Sequence, residues 1–94
     1  MTPLPLGYMQ AADDDLDGIA DYYEAREAWQ SALDVPDRIR TAAKLIGDAP
    51  LGWPIGVSGW HESFLSDLPF RIDCDVTPTH VRVLRITHTL PQWP

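Results

Sequence analysis

Apolar positions along this chain follow a helical period in the first half and a period of two in the second. In the first half Leu16, Ile19, Ala20 and Tyr23 recur at i, i+3, i+4 and i+7, the spacing of one helical face. A helix is therefore expected from Ala11 to about Arg26. Asp13, Asp14, Asp15 and Asp17 fall in its opening turns, where the helix dipole favours negative charge. Gly18 weakens this helix by about 1 kcal/mol relative to Ala. A second helical segment is expected from about Ala28 to Ile46, with Trp29, Ala32, Leu33, Ile39, Ala42, Ala43 and Ile46 on its apolar side. Pro36 lacks the amide that an interior turn needs, at a cost of about 3 kcal/mol, so a kink or restart is expected there. Asp34 is placed to cap the restart, and Gly47 to end the helix. Ahead of both helices, Pro3, Pro5 and Gly7 limit the chain to a short, imperfect edge strand near 4–10.

Residues 48–59 are rich in Pro and Gly and predict a loop. Beyond it, Phe70, Ile72, Cys74 and Val76 alternate with Arg71, Asp73 and Asp75, as in a half-buried strand. Thr77, Pro78 and Thr79 form a turn into the run 80–87, which is apolar on both faces as a central strand is. A weaker strand fits Trp60 to Leu65. Three strands joined by short turns are antiparallel neighbours. The expected architecture is a single α+β domain spanning 1–94. It has a β-α-α-β-β-β order, with a two-helix hairpin packed on a C-terminal antiparallel meander.

Charge changes the picture once it is divided. The chain carries a net charge of −7. Residues 1–34 hold eight acids and one base, Arg26, while residues 35–94 hold six of each. All of the net charge therefore lies in the first third. Such a surface repels phosphate backbones, because nucleic-acid affinity rests largely on Lys and Arg releasing counterions. A cationic protein partner or a metal ion suits it better than direct RNA or DNA binding. No apolar run approaches the ~20 residues of a membrane span, and the N-terminus lacks the basic start of a signal peptide. Cys74 is the only cysteine. An internal disulfide is impossible, and the cytoplasm is the expected setting.

Several constellations carry candidate chemistry. Asp13, Asp15, Asp17, Gly18 and Glu24 match the D-x-D-x-D-G-x5-E pattern of a calcium loop. Against that reading, Pro3, Pro5 and Gly7 deny the loop an entering helix, Ala20 stands where an aliphatic residue is usual, and no second loop pairs with it. The alternative makes these acids a helix N-terminus and a solvated face. His61, His80, His88 and Cys74 have none of the short spacings of a zinc site. Cys74 occupies an inward strand position and is expected to be inert. Ser58 and Ser63 lack the context of a catalytic nucleophile. Arg82 and Arg85 are placed to balance Asp73 and Asp75 across the strand pair. Strand parity groups Arg82 with His88 and sets Arg85 on the opposite face. Trp53 and Trp60 flank the Pro/Gly-rich loop and are candidates to anchor a partner, since Trp is enriched at interface hot spots.

The order of elements, together with certain residues, resembles the RelE/ParE toxin superfamily over about residues 11–94, and its ParE branch more closely. Ala12, Asp15-Leu16, Ile19 and Tyr22 fill the pattern of the family's first helix. Pro50, Gly52 and Pro54 match the loop after the hairpin. Gly59-Trp60-His61-Glu62 keeps the Gly and Glu of the segment that opens the next strand, with His in place of Arg. Pro69, Phe70 and Arg71 match the start of the following strand. Val81, Val83, Leu84, Arg85, Ile86 and His88, then Trp93-Pro94, match the last strand and the ending. Pro36, Leu90-Pro91 and the acidic balance depart from the family pattern.

The resemblance implies the toxin of a type II toxin–antitoxin system, of the kind that stabilises plasmids, neutralised by a small antitoxin and oligomeric through that complex. ParE-like members inhibit DNA gyrase by protein contact. RelE-like members cut messenger RNA on the ribosome, and here that role would fall to Arg71, Arg85 and His88. The single Lys, Lys44, and the split parity of the strand cations favour the non-catalytic branch, with no cofactor expected. Candidate partner contacts are Trp53, Trp60, His61, Glu62, Arg82, Arg85, His88 and Trp93. Charge complementarity predicts an antitoxin segment enriched in Lys and Arg.

Overall fold

The computed structural model of the chain describes residues 3–48 and 60–90. Strand β1 (Leu6–Tyr8) leads into helices α1 (Gln10–Ala25) and α2 (Trp29–Asp48), and strands β2 (His61–Phe64), β3 (Phe70–Val76) and β4 (Val81–His88) follow. This is the β-α-α-β-β-β order expected, with β2, β3 and β4 forming the antiparallel meander. The sheet order is β1-β4-β3-β2, and β1 runs parallel to β4. β4 is thus a central strand, as its two apolar faces predict. β1 spans three residues rather than 4–10. Pro3 and Pro5 have no amide to give a ladder, and the chain leaves the sheet at Met9 to start α1. The carbonyl of Pro5 still accepts from the Val81 amide at 2.9 Å.

The core lies between one face of the sheet and the helices. α1 contributes Ala12, Leu16 and Ile19, α2 contributes Val35, Ile39, Ala43 and Ile46, and the sheet contributes Phe70, Ile72, Cys74, Val81, Val83 and Ile86. Both helical stripes keep the three- and four-residue spacing of one face. Two expected members of the α2 face are absent from it. Trp29 and Leu33 are 61% and 67% exposed, and Val35 is buried instead. Residues 29 and 33 form a stripe of their own, rotated away from the one on which 32, 35, 39, 43 and 46 lie.

Helix α2 also runs on through Pro36, so the restart capped by Asp34 does not form. Pro36 is buried on the core side. Burial of neighbouring Val35 and Ile39 contributes about 1.5–3 kcal/mol each, enough to offset the roughly 3 kcal/mol cost of an interior Pro. Asp34 accepts a hydrogen bond from the Gln30 side chain at 2.8 Å. Gly47 does not end the helix either. It sits inside the last turn, where its carbonyl accepts from the Leu4 amide at 3.0 Å. A Cβ on Gly47 would stand 3.3 Å from the Leu4 carbonyl oxygen. The glycine therefore permits a close backbone approach, and needs no left-handed conformation.

The hairpin between the helices does need one. Glu27 has φ of 58°, the one positive value outside glycine among the described residues. The Ala28 amide donates to the Tyr23 carbonyl and the Glu27 amide to the Glu24 carbonyl, both at 2.9 Å. These paired bonds close a helix through a left-handed residue that is usually Gly. A Glu there carries a steric cost of roughly 1–2 kcal/mol. Glu27→Gly is expected to stabilise the fold by about 1 kcal/mol, read as a higher urea midpoint at unchanged m-value.

Candidate functional site

The chemistry-bearing end of the sheet is shaped by one irregularity. Asp73 pairs with Arg85, but Cys74 pairs with Val83, so β4 carries one extra residue, Leu84, against β3. Such a bulge reverses the in–out alternation of everything beyond it. Val81 and Val83 are buried at odd positions and Ile86 at an even one. Arg82 and Arg85 consequently stand opposite Asp75 and Asp73, while His88 stands opposite Phe70 on the core side. The parity expected from the sequence, Arg82 with His88 and Arg85 apart, is therefore corrected. A strict two-residue count cannot see an inserted residue.

β1 covers β4 only along Val81–Val83. Beyond it the strand edge is met by α1 through Asp15. One carboxylate oxygen of Asp15 accepts the Ile86 amide at 2.9 Å and Arg85 Nε at 2.8 Å, and the other accepts Arg85 Nη2 at 3.0 Å. These bonds raise the Arg85 pKa above its ordinary value. Asp15 was legible as one of a run of acids and as half of an acid-Leu pair. Its role as the partner of Arg85, 70 residues away, has no local signal.

On the sheet face, Arg71 Nε and Nη2 donate to both oxygens of Asp73 at 2.8 and 3.1 Å, and Arg71 Nη1 lies 3.7 Å from Glu62. Thr87 Oγ1 also donates to Asp73 at 3.4 Å. Asp73 is only 5% exposed, and a carboxylate at that depth needs such partners. The hydrogen bonds to Asp73 raise the Arg71 pKa. Arg82 forms an ion pair with Asp75. The expected cross-strand balance thus holds for Arg82 and Asp75, whereas Asp73 is taken by Arg71 and Arg85 by Asp15. Arg71, Arg85 and His88 do not converge on one point. His88 packs edge-to-face on Phe70 at 5.0 Å, and its Nδ1 accepts the Leu90 amide at 3.0 Å.

Of the remaining candidates, Trp60 is exposed just ahead of β2, His61 is half-buried, and Glu62, opposite Asp73 in the ladder, lies half-buried beside Arg71 on the sheet face away from the core. Trp53 and Trp93 lie outside the described residues. Asp13, Asp15, Asp17 and Glu24 all belong to the continuous helix α1. The calcium-loop pattern is therefore folded as helix, with Asp15 turned to Arg85. Among the described residues no group of three metal-ligating side chains comes together. No helix there is long and apolar enough to cross a membrane. A groove of about 570 Å³ opens between α1 and the end of β4, with Phe70, Ile86 and His88 on one side and Asp14, Asp21 and Tyr22 on the other.

No family model and no curated protein matches the sequence. Among solved structures, the chain is similar to one from the "Chromosomal ParDE TA system from P. aeruginosa", with a TM-score of 0.82 and 24% identity over 93% of this chain and 97% of that one. The α+β fold is shared with that chain.

Two measurements test these contacts. Asp15→Ala leaves the half-buried Ile86 amide without its acceptor, so a loss of about 1–3 kcal/mol is expected in urea unfolding, against almost none for exposed Asp13→Ala. Burial, and then the charge of Asp73, push the Cys74 thiol up to about 12. The folded protein is expected to resist a thiol reagent at pH 8 and to react promptly in denaturant. Prompt reaction of the native protein would contradict the packing of β3.

Proposed function

We propose that the chain is the toxin half of a toxin–antitoxin pair, that a small antitoxin protein binds and neutralises it, and that it acts on DNA gyrase by surface contact. The observation that carries this reading is the likeness along 93% of the chain to a chain of a ParDE TA system. The side chains support contact over bond-making chemistry. An RNA-cutting site needs cations aimed at the phosphate and its developing charge. Here Arg71, Arg82 and Arg85 are each held by a carboxylate of the same chain, and His88 stands on the other face of the sheet. The net charge of −7 with a single Lys also opposes a hold on messenger RNA.

The purified protein is expected to inhibit supercoiling by gyrase, and an equimolar amount of the small protein encoded beside it is expected to restore the reaction. Messenger RNA in a translation extract is expected to stay intact. Cleavage of that RNA, abolished by Arg85→Ala or His88→Ala, would instead assign the ribosome-dependent ribonuclease activity.

A further inference from the structure

The groove between α1 and the end of β4 combines features that point to one kind of occupant. Asp14 and Asp21 lie two turns apart on the same side of α1, with Gly18 between them. A Cβ on Gly18 would meet nothing within 4 Å, and its φ is ordinary, so neither clash nor backbone geometry calls for glycine here. What the missing side chain provides is open space over the floor formed by Phe70 and Ile86. Asp14 is bonded by the neutral amide of Gln10 at 2.9 Å, and neither Asp14 nor Asp21 has an ion-pair partner among the described residues. Beside them the chain's own Arg26 lays its guanidinium carbon 3.5 Å over the centre of the Tyr22 ring. This groove wall therefore already holds a planar cation on an aromatic face.

We infer that this groove receives an arginine side chain from a basic segment of the protein partner. The inference rests on the reading of the chain as one half of a protein pair. Arginine suits the groove better than lysine. Its planar fork can donate to a carboxylate while its face stacks on a ring, and its stem covers apolar surface. In the complex the incoming guanidinium enters beside Gly18 between Asp14 and Asp21, and it competes with Arg26 for Tyr22.

The probe is the peptide acetyl-Ala-Leu-Arg-Leu-Ala-amide, titrated into the full chain and followed by amide NMR shifts. Its counterpart with Glu at the centre is the control. The Arg peptide is expected to move Gly18, Tyr22 and Ile86, and the Glu peptide to leave them in place. Asp14→Asn with Asp21→Asn is expected to weaken Arg-peptide binding at least tenfold, and Arg26→Ala to strengthen it severalfold. Gly18→Leu is expected to abolish it at an equal or higher melting temperature, since Leu is the better helix former. No shift with the Arg peptide, or an equal response to both peptides, overturns the inference. The co-encoded partner separates this inference from the broader reading. A partner that binds Gly18→Leu as tightly as the natural chain overturns the groove and leaves the pairing intact. Arg-peptide binding without capture of any such partner upholds the groove's preference and overturns the pairing.

Discussion

The structure turns on a carboxylate that does the work of a missing strand. β1 is too short to cover β4 past Val83, so the far half of the central strand meets α1 rather than another ladder. Asp15 takes the Ile86 amide and both donors of Arg85 there. The bulge at Leu84 and the placement of α1 depend on each other through this group. Without the bulge, Arg85 and Ile86 would exchange faces, and the core would lose an isoleucine to gain a guanidinium. Without Asp15, the edge of β4 would carry an unsatisfied amide beside a cation.

The same logic of local neutralisation runs over the sheet. Arg71 lies between Asp73 and Glu62, and Arg82 pairs with Asp75. Each cation on this face is answered within the chain, so the face has little residual field with which to grip a polyanion. The uncompensated charge is acidic and belongs to α1. Recognition proposed for this protein therefore falls to α1 and the groove beside it, where Asp14 and Asp21, two carboxylates without an ion-pair partner among the described residues, stand beside Phe70 and Ile86.

Two backbone features show how the helices tolerate residues that local rules disfavour. Pro36 sits inside α2 because the residues around it are buried and the helix continues on both sides. Glu27 adopts a left-handed conformation because the bonds closing α1 also set the entry into α2. In each case packing over many residues outweighs a local cost of a few kcal/mol.

Much of this was legible in the order of residues. The change of period from helical to two marks out the helices and the meander, and the paired strands need only short turns to be antiparallel. The inward position of Cys74 follows from alternation, and the central place of β4 from a run apolar on both faces. A general balance of the strand arginines against Asp73 and Asp75 follows from their charges, whereas the particular pair Arg82–Asp75 is set by the register. Other features required the folded chain. The parity of Arg85 and His88 depends on one inserted residue, which no periodic count reveals. The parallel seat of β1, the bond from Asp15 to Arg85 and the approach of Leu4 to Gly47 join residues far apart in sequence. Local pattern tells which side of an element is apolar. Only the packed structure decides which distant polar group meets which, because each such group must find a partner wherever burial has removed water.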